Sequence, residues 1–285
     1  MLLGWMPFLL ACGCATESRP AVPTRPTTTQ LATSPATAPA PIATRPAAPR
    51  TLEMGRSVEG RPLTLYLFGD DHASSGTTLI LGGIHGNEPT AAGVCRELVA
   101  LLTASPDLWA GRSVAILPEA NPDGLARKLR TNANLVDLNR NFPARNWQKT
   151  RRSGFFGGDA PDSEPETRAL VSLLDRLRPA RIVSVHAMWQ PCNNFDGPAE
   201  ALAGSMSEHN GYPVRASIGY PTPGSLGSYA GADRQIPTIT LELPANHPAA
   251  RSWNNNREAL LAAIQSDPVS QSAIRDPQSA IPTAP

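Results

Sequence analysis

Short apolar runs alternate with helical apolar stripes through the middle of the chain. The runs lie at residues 77–81 ("TTLIL") and in the stretches "RPLTLYLFG", "SVAILPEA", "ARIVSVHA" and "IPTITLELP", and each of them predicts a strand. Apolar residues at helical spacing predict helices over 89–102, 164–177 and 255–264. Alternation of this kind predicts an α/β fold with a mixed, largely parallel central sheet flanked by helices.

The helix at 164–177 has the clearest start signal in the sequence. Ser163 is followed by Glu164, Pro165 and Glu166, which is the pattern of a capping box with proline in the first turn. Four leucines at helical spacing follow it and predict a face that packs on the core. They are Leu170, Leu173, Leu174 and Leu177.

The two ends of the chain differ in composition from this middle part. Residues 13–50 consist mostly of Ala, Pro and Thr, and 30 of the 285 residues of the chain are proline. Such a segment cannot bury enough apolar surface to offset the entropy lost on ordering. We therefore predict a linker over 13–50, a catalytic domain over 51–265 and a disordered tail over 266–285.

Residues 1–12 form an apolar segment that ends at a cysteine. The segment is too short for a transmembrane helix, which needs about 20 residues. Its end, "LLAC" with Cys12, resembles a bacterial lipobox, in which cleavage precedes a cysteine that then carries lipid. This predicts an exported protein, periplasmic or anchored to a membrane through Cys12. No Lys or Arg precedes the apolar run, so the alternatives are a wrongly assigned start codon or an apolar end without function, and a cytoplasmic protein.

Charge and cysteine content exclude some functions and leave others open. The net charge is +1, and no basic cluster with interleaved aromatic residues occurs, so nucleic acid is not an expected partner. Cys95 and Cys192 are the cysteines of the predicted domain. Because Cys95 lies on an apolar helix, we expect a free buried thiol, and a single disulfide in an oxidising compartment is the alternative.

Polar residues follow or interrupt the predicted strands at several places. His85 and Glu88 come directly after the strand at 77–81, His186 follows "ARIVSV", and Glu242 lies within "TITLELP". In open α/β sheets, ligands bind beyond the carboxyl ends of the strands. Two histidines and a carboxylate with an open fourth position are the ligand set of a catalytic zinc. A second carboxylate nearby would serve as the general base that activates a water molecule.

Each of these residues also has an ordinary structural explanation when it is taken alone. A histidine and a glutamate three residues apart often occur together by chance. His186 is compatible with a hydrogen-bonded core histidine, and Glu242 with an arginine ion pair. The segment 121–143 ("NPDGLARKLRTNANLVDLNRNFP") favours chemistry, because its Asn-Arg-Asn run and Arg130 offer amide and guanidinium donors suited to gripping a carboxylate.

Together these motifs resemble the zinc metallocarboxypeptidase family over about residues 55–244. The resemblance implies that His85, Glu88 and His186 bind one zinc ion per chain. It implies further that Glu242 accepts a proton from the water that attacks the scissile bond.

The same resemblance implies roles for residues that contact the substrate. Arg130 matches the arginine that polarises the scissile carbonyl group, and Asn139 and Arg140 match the pair that grips a substrate carboxylate. Tyr220 matches the mobile tyrosine that closes over the substrate. Arg130 would therefore act with Glu242 in catalysis, and the other three residues would bind substrate.

Within the family, the murein peptide amidases resemble the chain most. They hydrolyse the amide bond between γ-D-glutamate and meso-diaminopimelate in peptidoglycan peptides. The resemblance is in "NANLVDLNRNFPARNW", "DSEPETRAL", "IGYPTPGSLGSYAG" and "ITLELP". It implies a peptidoglycan-derived peptide as substrate, and the apolar start of the chain favours trimming of the cell wall outside the cell.

Three other functions remain open at this point. A general metallocarboxypeptidase would release C-terminal residues from peptides, and a zinc deacylase would act on small N-acyl amino acids. A non-catalytic lipoprotein that binds the cell wall would not need the predicted base. For the distal amino and carboxylate groups of the diamino acid, the candidates are Asn193, Asn194 and Asp196, and the alternative is an ordinary polar loop.

Overall fold

The computed structural model describes residues 48–69 and 76–267. The predicted signal segment at 1–12, residues 13–47 of the predicted linker and residues 268–285 of the predicted tail lie outside the described residues. The first strand begins at Arg50 and the last helix ends at Gln265. Among the described residues, no helix combines the length and the hydropathy that crossing a membrane requires.

A single sheet organises the described part of the chain, with helices on both of its faces. Its strands are β1 (Arg50–Arg56), β2 (Pro62–Phe68), β3 (Thr77–Leu81), β4 (Ser113–Leu117), β5 (Arg181–Met188), β6 (Cys192–Asp196), β7 (Val214–Arg215) and β8 (Thr238–Pro244). The α-helices are α1 (Pro89–Ala104), α2 (Pro122–Arg127), α3 (Pro165–Leu177), α4 (Glu200–Asn210) and α5 (Ala249–Gln265). Short 3₁₀ turns at Pro106–Trp109 and Leu138–Arg140 and a π-helix at Gly227–Asp233 complete the elements.

The sheet is mixed, and its centre is parallel. The strand order is β1-β2-β4-β3-β5-β8-β6-β7. The four central strands β4, β3, β5 and β8 run parallel. On one side, β1 and β2 pair antiparallel with their neighbours, and on the other, β6 pairs antiparallel with β8 and parallel with β7. This confirms the predicted α/β class with a largely parallel sheet.

Apolar side chains fill a layer on each face of the sheet. β3 shows the arrangement, because Ile80 contributes to the layer beneath α1, α4 and α5, whereas Leu79 and Leu81 contribute to the layer beneath α3. A strand covered on both faces has no polar alternation, which explains why all five residues of "TTLIL" are buried. The two cysteines within residues 76–267, Cys95 and Cys192, are buried and free, as expected for structural thiols.

The start of α3 differs from the predicted capping box. The N-cap residue is Glu164, not Ser163, and Pro165 takes the first helical position. No side chain caps this end; the Ser163 hydroxyl instead donates to Glu164 Oε1 at 2.8 Å. The prediction was wrong by one residue, because the local pattern did not reveal that Glu164 bonds to the Asn132 amide, at 2.8 Å.

The sequence prediction misplaced the start of one helix and missed other elements. α5 begins at Ala249, six residues before the predicted start at 255, because its first turns are polar and carry no apolar stripe. The strand β6, with sequence "CNNFD", and the helix α4 also escaped prediction. β6 has no helical or strand periodicity of apolar residues, and its pairing with β8 forms it.

Candidate metal centre and active site

The turn between β3 and α1 carries His85 and Glu88, and Glu88 occupies the N-cap position of α1. Gly83 has a φ of +62°, a conformation that L-residues with side chains rarely adopt. A Cβ atom at Gly86 would overlap with the backbone of Gly124. These glycines therefore allow the tight turn that brings both candidate ligands to the carboxyl edge of the sheet.

Two neighbouring strands carry His186 and Glu242. β5 and β8 are parallel, and His186 and Glu242 are partners in their register. Partners in a parallel pair project from the same face, so the two side chains lie side by side. Both residues are buried, with 2% of His186 and 7% of Glu242 exposed.

The side chains of His85, Glu88 and His186 converge on one point. His85 Nδ1 lies 2.8 Å from Glu88 Oε1, and His186 Nδ1 lies 3.2 Å from Glu88 Oε2 and 3.2 Å from His85 Nδ1. One ligand atom from each residue falls within 4.8 Å of the others. The structure thus brings together all three predicted metal ligands.

The donor set and its surroundings fit zinc. Two imidazole nitrogens and a carboxylate oxygen are a ligand set of catalytic zinc sites. His85 Nε2 lies 3.1 Å from Asp137 Oδ1, which places the ring proton on Nε2 and leaves the Nδ1 lone pair for a metal. Glu88 Oε2 accepts a hydrogen bond from the backbone N–H of Ala187 at 3.0 Å, which fixes the orientation of the carboxylate.

The electrostatic environment of the cluster favours a positive charge at its centre. Burial lowers the pKa of His85, but the charges of Glu88 and Asp137 outweigh burial and raise it to about 9. Burial raises the pKa of Glu88, but His85 and His186 hold it well below its usual range. A divalent cation between the ligand atoms would supply the positive charge that these carboxylates stabilise.

Asp137 contacts both His85 and Arg130, and the sequence analysis did not single it out. It is fully buried, and its second oxygen, Oδ2, accepts a hydrogen bond from Arg130 Nε at 2.9 Å. Burial raises its pKa, but the charge and hydrogen bond of His85 and the charge of Arg130 lower it to about 2. It precedes the Asn-Arg-Asn run directly, but no spacing in the sequence shows that it reaches back to His85.

Asp137→Asn is expected to weaken zinc binding about 10- to 100-fold, because an amide supports the His85 tautomer less well than a carboxylate does. Competition for zinc with a chelator of known affinity measures the change. Asp233→Asn is the matched control, since Asp233 accepts a hydrogen bond from the backbone of Arg145 and does not line the cavity described below. Unchanged zinc affinity in Asp137→Asn would contradict the role assigned to this carboxylate.

A cavity opens at the predicted metal ligands, and the remaining predicted site residues line it. These residues are Arg130, Asn139, Arg140, Tyr220 and Glu242. The Asn139 side-chain oxygen accepts a hydrogen bond from the backbone N–H of Leu226 at 2.9 Å, which leaves the amide N–H groups for a ligand. The structure therefore brings all of the predicted site residues together around one cavity.

The guanidinium groups of Arg130 and Arg140 both lie in the wall of this cavity. The Arg140 side chain is buried, and burial lowers its pKa, although the charge of Asp137 opposes this effect. Tyr220 is 47% exposed, and its hydroxyl interacts with Arg140. The ring of Phe155, which the sequence analysis did not identify, lies beside both cations. Its centroid is 4.9 Å from Arg130 Cζ and 5.9 Å from Arg140 Cζ. Phe155 therefore helps to orient both groups.

Glu242 is a buried carboxyl group with a shifted pKa. Burial raises its pKa, and the negative charge of Glu88 adds to the effect, so the pKa reaches about 8 although His85 and Arg130 oppose the shift. A carboxyl group with a pKa in this range can take up and release a proton near neutral pH.

The three residues predicted to bind the distal groups of a diamino acid lie on opposite faces of β6. Asn194 and Asp196 line the cavity. Asn193 projects from the opposite face of the strand, where its amide donates to Asn210 Oδ1 at 3.0 Å and to the Tyr212 carbonyl at 3.2 Å. The prediction was wrong for Asn193, because adjacent residues in a strand face opposite sides, and the polar-loop alternative was wrong because the segment is a strand.

Comparison with known proteins gives a consistent set of similarities. The zinc carboxypeptidase family profile matches residues 42–200. Murein peptide amidase A of Escherichia coli strain K12 is 39% identical over 209 residues, which are 69% of this chain and 82% of that protein. The Vibrio campbellii protein of the same name is 36% identical over 75% of this chain and 87% of its own length.

A solved structure is similar over most of the fold. The crystal structure of murein-tripeptide amidase from Escherichia coli O157 superimposes with a TM-score of 0.66 at 36% identity. The match covers 80% of this chain and 98% of that chain. Sequence and structure comparisons therefore agree on the family and on the fold.

Proposed function

Because the chain belongs to the zinc carboxypeptidase family, we propose that it cleaves the γ-D-glutamyl–meso-diaminopimelate amide bond of peptidoglycan peptides. The observation that carries this proposal is the 39% identity to a murein peptide amidase over 82% of that protein's length. The site supports it, because ligands for zinc, a buried carboxylate and donors for a substrate carboxylate line one cavity.

His85, Glu88 and His186 would hold the zinc ion. When bound, zinc supplies Lewis acidity, which lowers the pKa of water and polarises a carbonyl group. Glu242 accepts the proton of the attacking water and passes it to the leaving nitrogen, so that the amine departs neutral. Arg130, held by Asp137, donates to the carbonyl oxygen as negative charge develops there.

The residues beside Arg130 position the substrate. Arg140 and the amide of Asn139 hold the α-carboxylate of the residue that leaves. Tyr220 covers this carboxylate from the solvent side, where nearly half of its own surface is exposed. A substrate fixed at this carboxylate presents its amide bond to Glu242 in one orientation, which lowers the entropic cost of reaction.

The grip of Arg140 on a carboxylate gives a direct prediction. Amidation of the α-carboxylate of the diaminopimelate residue should lower kcat/KM about 10- to 100-fold in the parent enzyme, because a charge-assisted hydrogen bond is lost. In Arg140→Gln, the free acid and the amide should differ by much less, and steady-state kinetics with both peptides measures the ratio. An unchanged ratio in Arg140→Gln would place the carboxylate elsewhere.

A panel of substrates tests the proposed function. We expect the purified protein to cleave L-Ala-γ-D-Glu-meso-diaminopimelate with a higher kcat/KM than either an unmodified L-peptide or a small N-acyl amino acid. Release of C-terminal residues from L-peptides without cleavage of the tripeptide would favour the general carboxypeptidase instead. Cleavage restricted to N-acyl amino acids would favour the deacylase.

We also propose that the protein is exported and tethered to a membrane through lipid on Cys12. The lipobox-like "LLAC" sequence supports this proposal, and the Pro- and Thr-rich residues that follow would give a tethered enzyme reach to the cell wall. Mass spectrometry of the mature N-terminal peptide tests it. A diacylglyceryl group on Cys12 is the expected result, and an unprocessed N-terminus in the cytoplasmic fraction would contradict it.

A further inference from the structure

The loop between Arg130 and Asp137 turns at a residue with an unfavourable backbone conformation. Leu135 has a φ of +61°, in the left-handed region that residues with a side chain rarely adopt. Its side chain is 55% exposed, so packing in the core does not stabilise this conformation. Backbone strain of this kind persists only where surrounding contacts hold it, and it is most frequent at functional sites.

The side chain and backbone of Asn132 supply the contacts that hold this turn. The side-chain oxygen accepts hydrogen bonds from the backbone N–H groups of Asn134 and Val136, both at 3.1 Å. The backbone N–H of Asn132 donates to the Val136 carbonyl at 2.9 Å, and its carbonyl accepts from the Leu135 N–H at 3.0 Å. Val136 directly precedes Asp137, so Asn132 fixes the backbone from which the Asp137 carboxylate extends.

The amide nitrogen of Asn132 ties the same turn to the start of α3. It donates to Glu164 Oε2 at 2.8 Å and to Glu166 Oε2 at 3.1 Å. All three residues are buried, with 4% of Glu164 and none of Asn132 or Glu166 exposed. Burying a carboxylate is costly unless donors satisfy its oxygens, so the amide has a defined place between the two groups.

Further donors hold the two carboxylates themselves in place. Glu164 Oε1 accepts a hydrogen bond from the Ser163 hydroxyl at 2.8 Å, and Glu166 Oε1 accepts one from the backbone N–H of Val58 at 3.1 Å. Glu164 is the N-cap of α3 and Glu166 lies in its first turn, and the apolar face of this helix is buried against the sheet. The acceptors for the Asn132 amide therefore belong to a packed part of the fold.

At its other end, the turn leads to the metal centre through Asp137. Asp137 Oδ1 lies 3.1 Å from His85 Nε2 and accepts a hydrogen bond from the backbone N–H of Asn139 at 3.0 Å, and Oδ2 accepts one from Arg130 Nε at 2.9 Å. Hydrogen bonds weaken steeply away from their preferred geometry. A carboxylate with three such contacts therefore tolerates little displacement of its own backbone.

We propose that Asn132 is a positioning residue of the metal centre. It holds the turn at residues 132–136 against the two carboxylates of α3, and the turn directs Asp137 toward His85. His85 then keeps its ring proton on Nε2 and presents Nδ1 to zinc. Because Asn132 does not line the active-site cavity, its effect on zinc passes through Asp137.

The zinc affinity of Asn132→Ala, alone and combined with Asp137→Asn, tests the proposal. Competition with a chelator of known affinity is expected to show about 10-fold weaker binding in Asn132→Ala, at the lower end of the loss caused by removing a direct partner of a metal-binding histidine. In the Asp137→Asn background, the same substitution should change zinc affinity by about two-fold or less, because the contact through which it acts is already weakened. Equal losses in both backgrounds would overturn the proposal.

Asn256→Ala is the matched control for a buried asparagine outside the site. Asn256 lies on α5, is fully buried, and donates to the Ser252 carbonyl at 2.9 Å and to the Tyr212 hydroxyl at 3.2 Å. We expect this variant to lower the thermal unfolding midpoint, as Asn132→Ala does, and to keep the zinc affinity of the parent protein. A loss of zinc affinity as large as that of Asn132→Ala would show that general destabilisation causes both, and would overturn the proposal.

Glu166→Gln provides a milder second variant in case Asn132→Ala does not fold. The glutamine oxygen is needed by the Val58 N–H, so the new amide group faces that of Asn132 and their hydrogen bond is lost. Zinc binding should weaken about 3-fold, as for one hydrogen bond. Unchanged zinc affinity in Asn132→Ala, or in Glu166→Gln where only that variant folds, would contradict the proposal. Because no substrate is present, the result does not depend on the proposed function.

Discussion

Glu242→Gln is expected to retain zinc and to lose about 10²- to 10⁴-fold in kcat, with KM little changed. Glutamine has nearly the same shape as glutamate but cannot accept a proton from water. Because Glu242 acts in the transition state and does not bind the ground-state substrate, turnover falls more than affinity does. Steady-state kinetics on the diaminopimelate tripeptide, together with metal analysis of the same sample, measures both quantities.

Glu258→Gln provides the matched control for this variant. Glu258 lies on α5 with 56% of its side chain exposed, where it pairs with Arg257, and its substitution should leave kcat unchanged. Turnover near that of the parent enzyme in Glu242→Gln would show that another group accepts the proton. Loss of zinc from Glu242→Gln would show instead that this carboxylate is a metal ligand.

His186→Ala is expected to remove the metal and to reduce hydrolysis to the background of the assay. Without His186, one imidazole and one carboxylate remain, and these are too few ligands for a catalytic zinc site, which uses three. We expect about one zinc per chain in the parent protein and little in the variant, measured by elemental analysis after dialysis. Glu242 would still be present, so loss of activity reports the loss of the metal.

The control for His186→Ala is a histidine outside the site. His209 is exposed on α4, and His209→Ala should keep both zinc and activity. His85→Ala should behave like His186→Ala, because His85 contributes a second nitrogen to the same cluster. Undiminished zinc in both His85→Ala and His186→Ala would remove the assignment of the metal centre.

Sequence patterns predicted the central part of the fold because strands covered on both faces carry largely apolar runs without polar alternation. β3, β4, β5 and β8 all carry such runs, and each is found where its run predicts it. β6 was not predicted, because its sequence "CNNFD" is polar and its strand conformation comes from pairing with β8. The capping box failed for a related reason, since Glu164 bonds to Asn132 from a distant loop.

The site was predictable where short motifs carry the chemistry, and less so where contacts join distant segments. His85 and Glu88 are three residues apart after a strand, so their approach follows from local geometry. Asp137 was missed, because its contact with His85 spans 52 positions in the sequence. Asn193 was misplaced, because the facing side of β6 depends on its register with β8, which no local pattern encodes.

Hydrolysis of the diaminopimelate tripeptide in water enriched in ¹⁸O tests the central claim most directly. If attack by water, assisted by Glu242, cleaves the γ-D-glutamyl bond, mass spectrometry will find one ¹⁸O atom in L-Ala-D-Glu and none in free diaminopimelate. Label in any other product, or intact tripeptide after incubation with the zinc-loaded protein, would contradict the account.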